Sequence, residues 1–205
     1  MITAVHGFLG LPSDWNFLRE AGLEVDARRA GDIPPAGDVL LGYSMGGRLA
    51  LHALLGGARY RQAVIVSAGL GIEGETERAA RRAADETWAR RFESEEWDSL
   101  LRDWNAQAVF GGHSQPRREQ DFDRNDLARA LREWSPAVLP PIAERLHEIN
   151  IPVLWIAGER DSRYVEVGRR AVSLLPHAEL WICPAAGHRV PWEQPEIFVR
   201  RLLTL

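Results

Sequence analysis

The sequence predicts an α/β fold, a mostly parallel sheet of about six strands flanked by helices and interrupted by a helical insertion. Three observations carry this. Short β-rich runs recur with helical stretches between them, the alternation of a parallel sheet covered by helices. Several of those runs are apolar almost throughout, as strands covered on both faces are. The 205 residues, 45% hydrophobic and 26% charged, also match one well-buried domain in length and balance.

In order, "ITAVH" reads as the first strand, followed by the glycine-bearing turn "GFLG", and "LEVDA" as the second. "DVLLG" is the third; it runs through "YSMGG" into "RLALHALLG", a helix pattern closed by Gly56 and Gly57. "RQAVIVSA" is the fourth strand. The alternation then stops between about residues 71 and 150. There "ETERAARRAADETWARRFESEEWDSLLRDW" has the length and the helix formers of one or two long amphipathic helices. It resumes with "IPVLWIAG" and ends with "AELWIC". The expected organisation is a single domain over 1–205 with an inserted helical cap over 71–150.

The bulk numbers narrow the partners. A net charge of −4 gives no overall electrostatic reason to bind nucleic acid or an anionic membrane. The single cysteine, Cys183, excludes an intramolecular disulfide and a cysteine-rich metal cluster, and fits a buried thiol on a strand. "MITAVHGFLG" lacks the basic region and apolar core of a signal peptide, and no stretch offers the ~18 apolar residues of a membrane span, so a cytoplasmic location is expected by default. Oligomeric state cannot be read from these residues.

The chemistry concentrates at "GYSMG", a G-x-S-x-G pattern between a strand and a helix. Gly42 and Gly46 let the backbone turn sharply there, lifting Ser44 above the sheet at the start of the next helix. The first N–H groups of a helix have no internal partners and can stabilise an oxyanion. A hydroxyl needs an imidazole to take its proton and a carboxylate to orient that imidazole. In "GERDSRY", Asp161 follows a strand, and in "AAGHRVPWEQPE", His188 follows the last strand. The plainer alternatives are a turn or helix N-cap role for Asp161 and a surface-loop histidine for His188. The loop "HGFLG" can supply a second oxyanion donor, which assigns the backbone N–H groups of Phe8 and Met45 to that hole; His6 reads as structural. The other histidines lack metal-ligand spacing, and no G-x-G-x-x-G or G-K-[ST] loop follows a strand. No metal or cofactor is implied.

"VHGFLG", "GYSMGGRLAL", "GERDSRY" and "AGHRVPWEQPE" together resemble the α/β-hydrolase superfamily from end to end, which implies the α/β-hydrolase fold. The insertion narrows the resemblance. "ERAARRAADETWARRF", "DWNAQAVF" and "RREQDFDR" resemble the cap of the menaquinone-pathway 2-succinyl-6-hydroxy-2,4-cyclohexadiene-1-carboxylate synthases. That likeness implies a lyase that eliminates pyruvate from a small substrate bearing several carboxylates, with the serine as base and no acyl-enzyme. It also implies substrate-binding roles for Tyr43, Arg48, Arg81, Trp104 and Arg124, consistent with guanidinium groups clamping carboxylates. Four of them have a plainer alternative: an acidic neighbour for Arg48, solvation for Arg81 and Arg124, and core packing for Trp104.

The sequence departs from the family at Asn105, Ala108 and Arg189. Asn105 and Ala108 stand where an aromatic residue and a proline are usual, and Arg189 is expected to add a positive charge at the mouth of the site. The chain also opens on what is usually the third strand, which predicts a trimmed sheet. Two other classes stay open: a carboxylester or thioester hydrolase working through acyl-Ser44, and a receptor that keeps the triad without turnover. If neutral His188 accepts the Ser44 proton, activity falls with pH through the range where imidazoles protonate, about 6.5 in peptides.

Overall fold

The computed structural model describes residues 1–205. The chain divides into two units, one made of residues 1–70 and 142–205 and the other of residues 71–141. The first begins with β1 (Ile2–Val5), α1 (Asn16–Glu20), β2 (Val25–Arg28), β3 (Ala36–Tyr43), α2 (Met45–Leu55) and β4 (Arg59–Val66). The second carries α3 (Glu75–Ser94), α4 (Trp97–Asn105) and α5 (Arg124–Glu133). The first then resumes with a 3-10 helix (Ala143–Glu148), β5 (Val153–Gly158), α6 (Ser162–Leu174), β6 (Ala178–Cys183), α7 (Val190–Glu193) and α8 (Pro195–Leu202).

All six strands pair in parallel, in the order β2-β1-β3-β4-β5-β6. Every run read as a strand is therefore a strand of one sheet. Successive strand residues point to opposite faces, and each face has its own apolar layer. Leu40, Ile65, Val153 and Trp155 pack on one side with Ala50 and Leu51 of α2 and Ala171 of α6. Leu41, Val64, Leu154 and Ile156 pack on the other with Trp15, Leu18 of α1, and Phe198 and Leu202 of α8. Both neighbours along each strand are thus buried, which is why β5 reads as an unbroken apolar run. Cys183 ends β6 fully buried, and burial pushes its thiol up to about 11. No helix is long and apolar enough to cross a membrane.

In the second unit, α3 and α4 realise the two-helix reading of the Arg/Glu-rich stretch. The break falls at Glu96, whose carboxylate accepts the N–H groups of Asp98 and Ser99 at 2.9 and 2.8 Å and so starts α4. α3 packs on α5, burying Ala89 and Phe92 from one and Leu127 and Leu131 from the other. Arg132 of α5 reaches Glu86 and Glu93 of α3, and its hydrogen bond, with that of Arg90, holds the Glu86 carboxyl down to about 2. These pairs are solvent-exposed and add specificity more than stability.

The insertion ends earlier than expected, at 141 and not 150. The Ile142 N–H bonds Leu70 O at 2.9 Å, and Ile142, Ala143, Leu146 and Ile149 enter the core of the first unit. This return is a 3-10 helix, which has the period of neither a strand nor an α-helix.

His52 on α2 gives a testable pH effect. Its Nε2 is buried without a hydrogen-bond partner. Burial holds the imidazole below its ordinary range, and the charges of Arg48 and Arg145 push the same way. A folded-state pKa below the unfolded one means the unfolded chain takes up a proton that the folded chain resists. Stability is complete above the unfolded value, about 6.5, and declines as pH falls below it. His52→Gln is expected to flatten the fall in melting temperature between pH 7 and pH 5. An equally steep fall in the variant would show that His52 is not its source.

Candidate active site

Ser44 sits between β3 and α2 with φ 52° and ψ −114°, a left-handed conformation that L residues rarely hold. Such a backbone costs on the order of 1–3 kcal/mol and persists only where its surroundings dictate it. Two bonds do so here: Ser44 N–H donates to Val66 O on β4 at 2.8 Å, and Ser44 O accepts Arg48 N–H at 3.1 Å as α2 begins. Close packing completes the turn. A Cβ on Gly46 would lie 2.3 Å from His6 O and 2.5 Å from Val5 O, so only glycine lets α2 start this close to β1.

Asp161 and His188 come to Ser44 from the ends of β5 and β6. His188 Nε2 lies 3.1 Å from Ser44 Oγ, and Nδ1 lies 2.8 Å from Asp161 Oδ2. His188 and Asp161 are both shielded, with side-chain exposures of 3% and 9%. Asp161 makes both contacts: Oδ1 accepts the Tyr164 N–H at 3.4 Å as N-cap of α6 while Oδ2 meets the imidazole. Rings also frame His188, Tyr164 at 4.5 Å and Tyr43 at 5.6 Å between centroids. Tyr164 escaped the sequence reading, although its place three residues after Asp161 on a helix sets it over the same turn.

The loop after β1 closes on the elbow, since a Cβ on Gly7 would lie 3.2 Å from Ser44 Cβ. Phe8 follows Gly7 in that loop, and Met45 follows Ser44 as the first residue of α2. Arg48 is buried at 8% exposure, one turn along α2 from Ser44. Tyr43 is buried too, its ring 4.8 Å from Trp192 edge to face. Burial pushes the Tyr43 phenol well above its ordinary value, against the opposing charge and hydrogen bond of Arg189. Arg189 is therefore not at a site mouth: only 5% exposed, it donates to a hydroxyl in the interior.

The second unit carries the other three candidates. Arg81 directs Nε at both Asp85 oxygens, 2.9 Å each, and Asp85 is itself buried. Trp104 lies in an aromatic cluster with Trp88 at 5.0 Å, Phe92 at 5.5 Å and Phe110 at 6.1 Å. Arg124 bonds Phe92 O at 2.6 Å, Glu95 O and the Glu119 carboxylate, so its guanidinium closes the carbonyl end of α3. Asn105 turns back onto Leu101 O at 2.9 Å, and Ala108 opens a short 3-10 turn in the exposed surface.

Residues 5–201 match the model of the alpha/beta hydrolase family. The chain is 33% identical over 163 residues to 2-succinyl-6-hydroxy-2,4-cyclohexadiene-1-carboxylate synthase from Escherichia coli O7:K1, covering 76% of this chain and 63% of that protein. It is 35% identical over 171 residues to the synthase of Serratia proteamaculans, covering 80% and 65%. The match thus spans under two thirds of these relatives' length. Among solved structures, MenH from S. aureus superposes with a TM-score of 0.87 at 22% identity, over 99% of this chain and 91% of that one. The carboxylesterase CesB from Bacillus subtilis superposes at 0.63 and 21% identity, over 99% and 82%. With the match running across both units, the chain belongs to the alpha/beta hydrolase family.

Proposed function

We propose that this protein is a carbon–oxygen lyase of menaquinone biosynthesis, converting 2-succinyl-5-enolpyruvyl-6-hydroxy-3-cyclohexene-1-carboxylate to 2-succinyl-6-hydroxy-2,4-cyclohexadiene-1-carboxylate and pyruvate. The observation that carries this reading is the hydrogen-bonded chain Ser44–His188–Asp161, in a sequence a third identical to synthases of that name. His188 Nε2 draws the Ser44 proton, and Ser44 Oγ takes a proton from a ring carbon of the substrate. The freed electron pair forms C2=C3, the ring double bond shifts from C3=C4 to C4=C5, and the C5–O bond to the enolpyruvyl group breaks. The leaving group departs as pyruvate enolate and is protonated on carbon. Asp161 steadies the imidazolium formed meanwhile.

The N–H groups of Phe8 and Met45 are the donors for the charge that develops on oxygen. The carboxylates of the substrate call for fixed cations, and Arg48 and Arg81 are the residues proposed to serve. Asp85 engages only Nε of Arg81, which leaves both Nη groups of the fork outside that pair. Arg124 is assigned to closing α3 and not to the substrate, and Tyr43 to packing beside His188. Trp104 stays a candidate lining residue.

Pyruvate release from freshly generated intermediate tests this directly. Ser44→Ala is expected to lower it about 10³-fold, within the usual range for loss of a general base. Release at the wild-type rate in that variant would remove Ser44 as base, and none from the wild type would remove the lyase assignment. The alternative, ester or thioester hydrolysis, uses the same Ser44 and His188 and predicts an acyl-Ser44 that mass spectrometry would trap.

A further inference from the structure

We infer that Glu193 is a positioning residue for His188, an inference that rests on the proposed role of His188 as proton acceptor. His188 lies outside regular structure, yet its two ring nitrogens must meet groups 27 and 144 residues away in sequence at the same time. A small rotation of its backbone would spoil both contacts. The Glu193 carboxylate prevents this by gripping the residues on either side: Oε2 accepts the Gly187 N–H at 2.7 Å and Oε1 the Arg189 N–H at 2.9 Å.

Charge and shape both suit a carboxylate here. Two backbone donors flank one residue, and only a carboxylate offers two acceptors in one planar group with charge-assisted bonds at these distances. The side chain is anchored in turn, because the N–H groups of Trp192 and Glu193 donate to Arg189 O at 3.0 and 2.9 Å as α7 begins. The other end of the loop is tied to the loop that carries Asp161. Glu159 Oε2 accepts Ala185 N–H at 2.9 Å, and Arg160 N–H donates to Ala186 O at 2.8 Å. A Cβ on Gly158 would lie 2.0 Å from Gly187 O, so the two loops touch backbone to backbone. The acid side of His188 is thus fixed through Glu159 and Arg160, and its own backbone through Glu193.

The test compares wild type, Glu193→Gln and Glu193→Ala, each with histidine labelled by 15N and with the His188 signals identified by their absence in His188→Gln. At pH 8 the wild-type ring is expected to carry its proton on Nδ1, leaving Nε2 as acceptor. Glutamine can accept only one of the two N–H groups and turns an NH2 toward the other. In Glu193→Gln the two nitrogens are expected to average toward a mixture of tautomers, with kcat for pyruvate release falling about 10- to 100-fold and KM within about twofold. Glu193→Ala is expected to exceed both changes; should it not fold, the Gln variant decides alone. Wild-type tautomer signals with wild-type kcat in the folded variants would overturn the proposal. So would a kcat loss that only tracks the unfolded fraction with His188 signals unchanged, since that marks a purely structural clamp. A wild type that releases no pyruvate while its His188 ring is held as expected would sink the lyase reading, and Glu193 would then be judged on the tautomer alone.

Discussion

Asp161→Asn is expected to cut pyruvate release about 10⁴-fold, the scale of loss when a triad carboxylate becomes an amide, with the fold kept. The carboxylate does two jobs through two oxygens, accepting from His188 Nδ1 and from the Tyr164 N–H. An amide of the same shape has one acceptor and one donor, so either orientation fails at one end. With NH2 toward the imidazole, Nδ1 must give up its proton, and Nε2 then carries one and points it at Ser44 Oγ, where an acceptor is needed. With the oxygen toward the imidazole, NH2 faces the Tyr164 N–H and the N-cap of α6 is lost, at about 1 kcal/mol. The first orientation keeps both hydrogen bonds at the cost of a tautomer shift, whereas the second gives one up, so the first prevails: melting should change by only a few degrees while turnover collapses. Turnover within tenfold of wild type would mean that Asp161 is the N-cap and nothing more.

How much of this was legible in the sequence follows from how local each signal is. All six strands were readable because burial on both faces makes them apolar runs, and the elbow was readable because "GYSMG" packs strand end, turn and helix start into five residues. The motifs placed Ser44, Asp161 and His188 at loop ends, and the distances among them are a property of the sheet order that no local pattern states.

The readings that changed were those that depended on what lies opposite a side chain. Arg124 reads in sequence as a substrate-binding or solvated cation and Arg189 as a charge at an opening, but one bonds the carbonyl end of α3 and the other lies buried against Tyr43. Arginine's five donors let it serve carboxylate, carbonyl or hydroxyl equally well, so its residue type carries little information about its partner. Glu193 escaped notice for the same reason: its acceptors serve backbone N–H groups, which are present at nearly every position. The early end of the insertion at 141 was hidden because Ile142, Leu146 and Ile149 reach the core from a 3-10 helix, without the period of a strand.

Gly46→Ala has the largest expected effect on stability, and its sign runs against helix propensity. Gly46 lies in the first turn of α2, and alanine in a helix interior is ordinarily better than glycine by about 1 kcal/mol. Here the new methyl would sit 2.3 Å from His6 O, 2.5 Å from Val5 O and 2.9 Å from His6 C. All three are backbone atoms at the end of β1, so no side-chain rotation can relieve the clash. Either α2 lifts from the sheet or β1 shifts against β3, to which it is paired through Val5 and Gly42. Overpacking of this kind costs about 3 kcal/mol or more. For a chain of this size that lowers the melting temperature by roughly 6–12 °C. The displacement falls on the loop holding Phe8 and on the helix start holding Met45, so folded protein at low temperature should also lose turnover, as the donors proposed for the developing oxyanion move apart. A Gly46→Ala variant that melts at or above the wild-type temperature would show that β1 and α2 are not held as close as these contacts require. The account of why glycine occupies the second half of the elbow would fall with it.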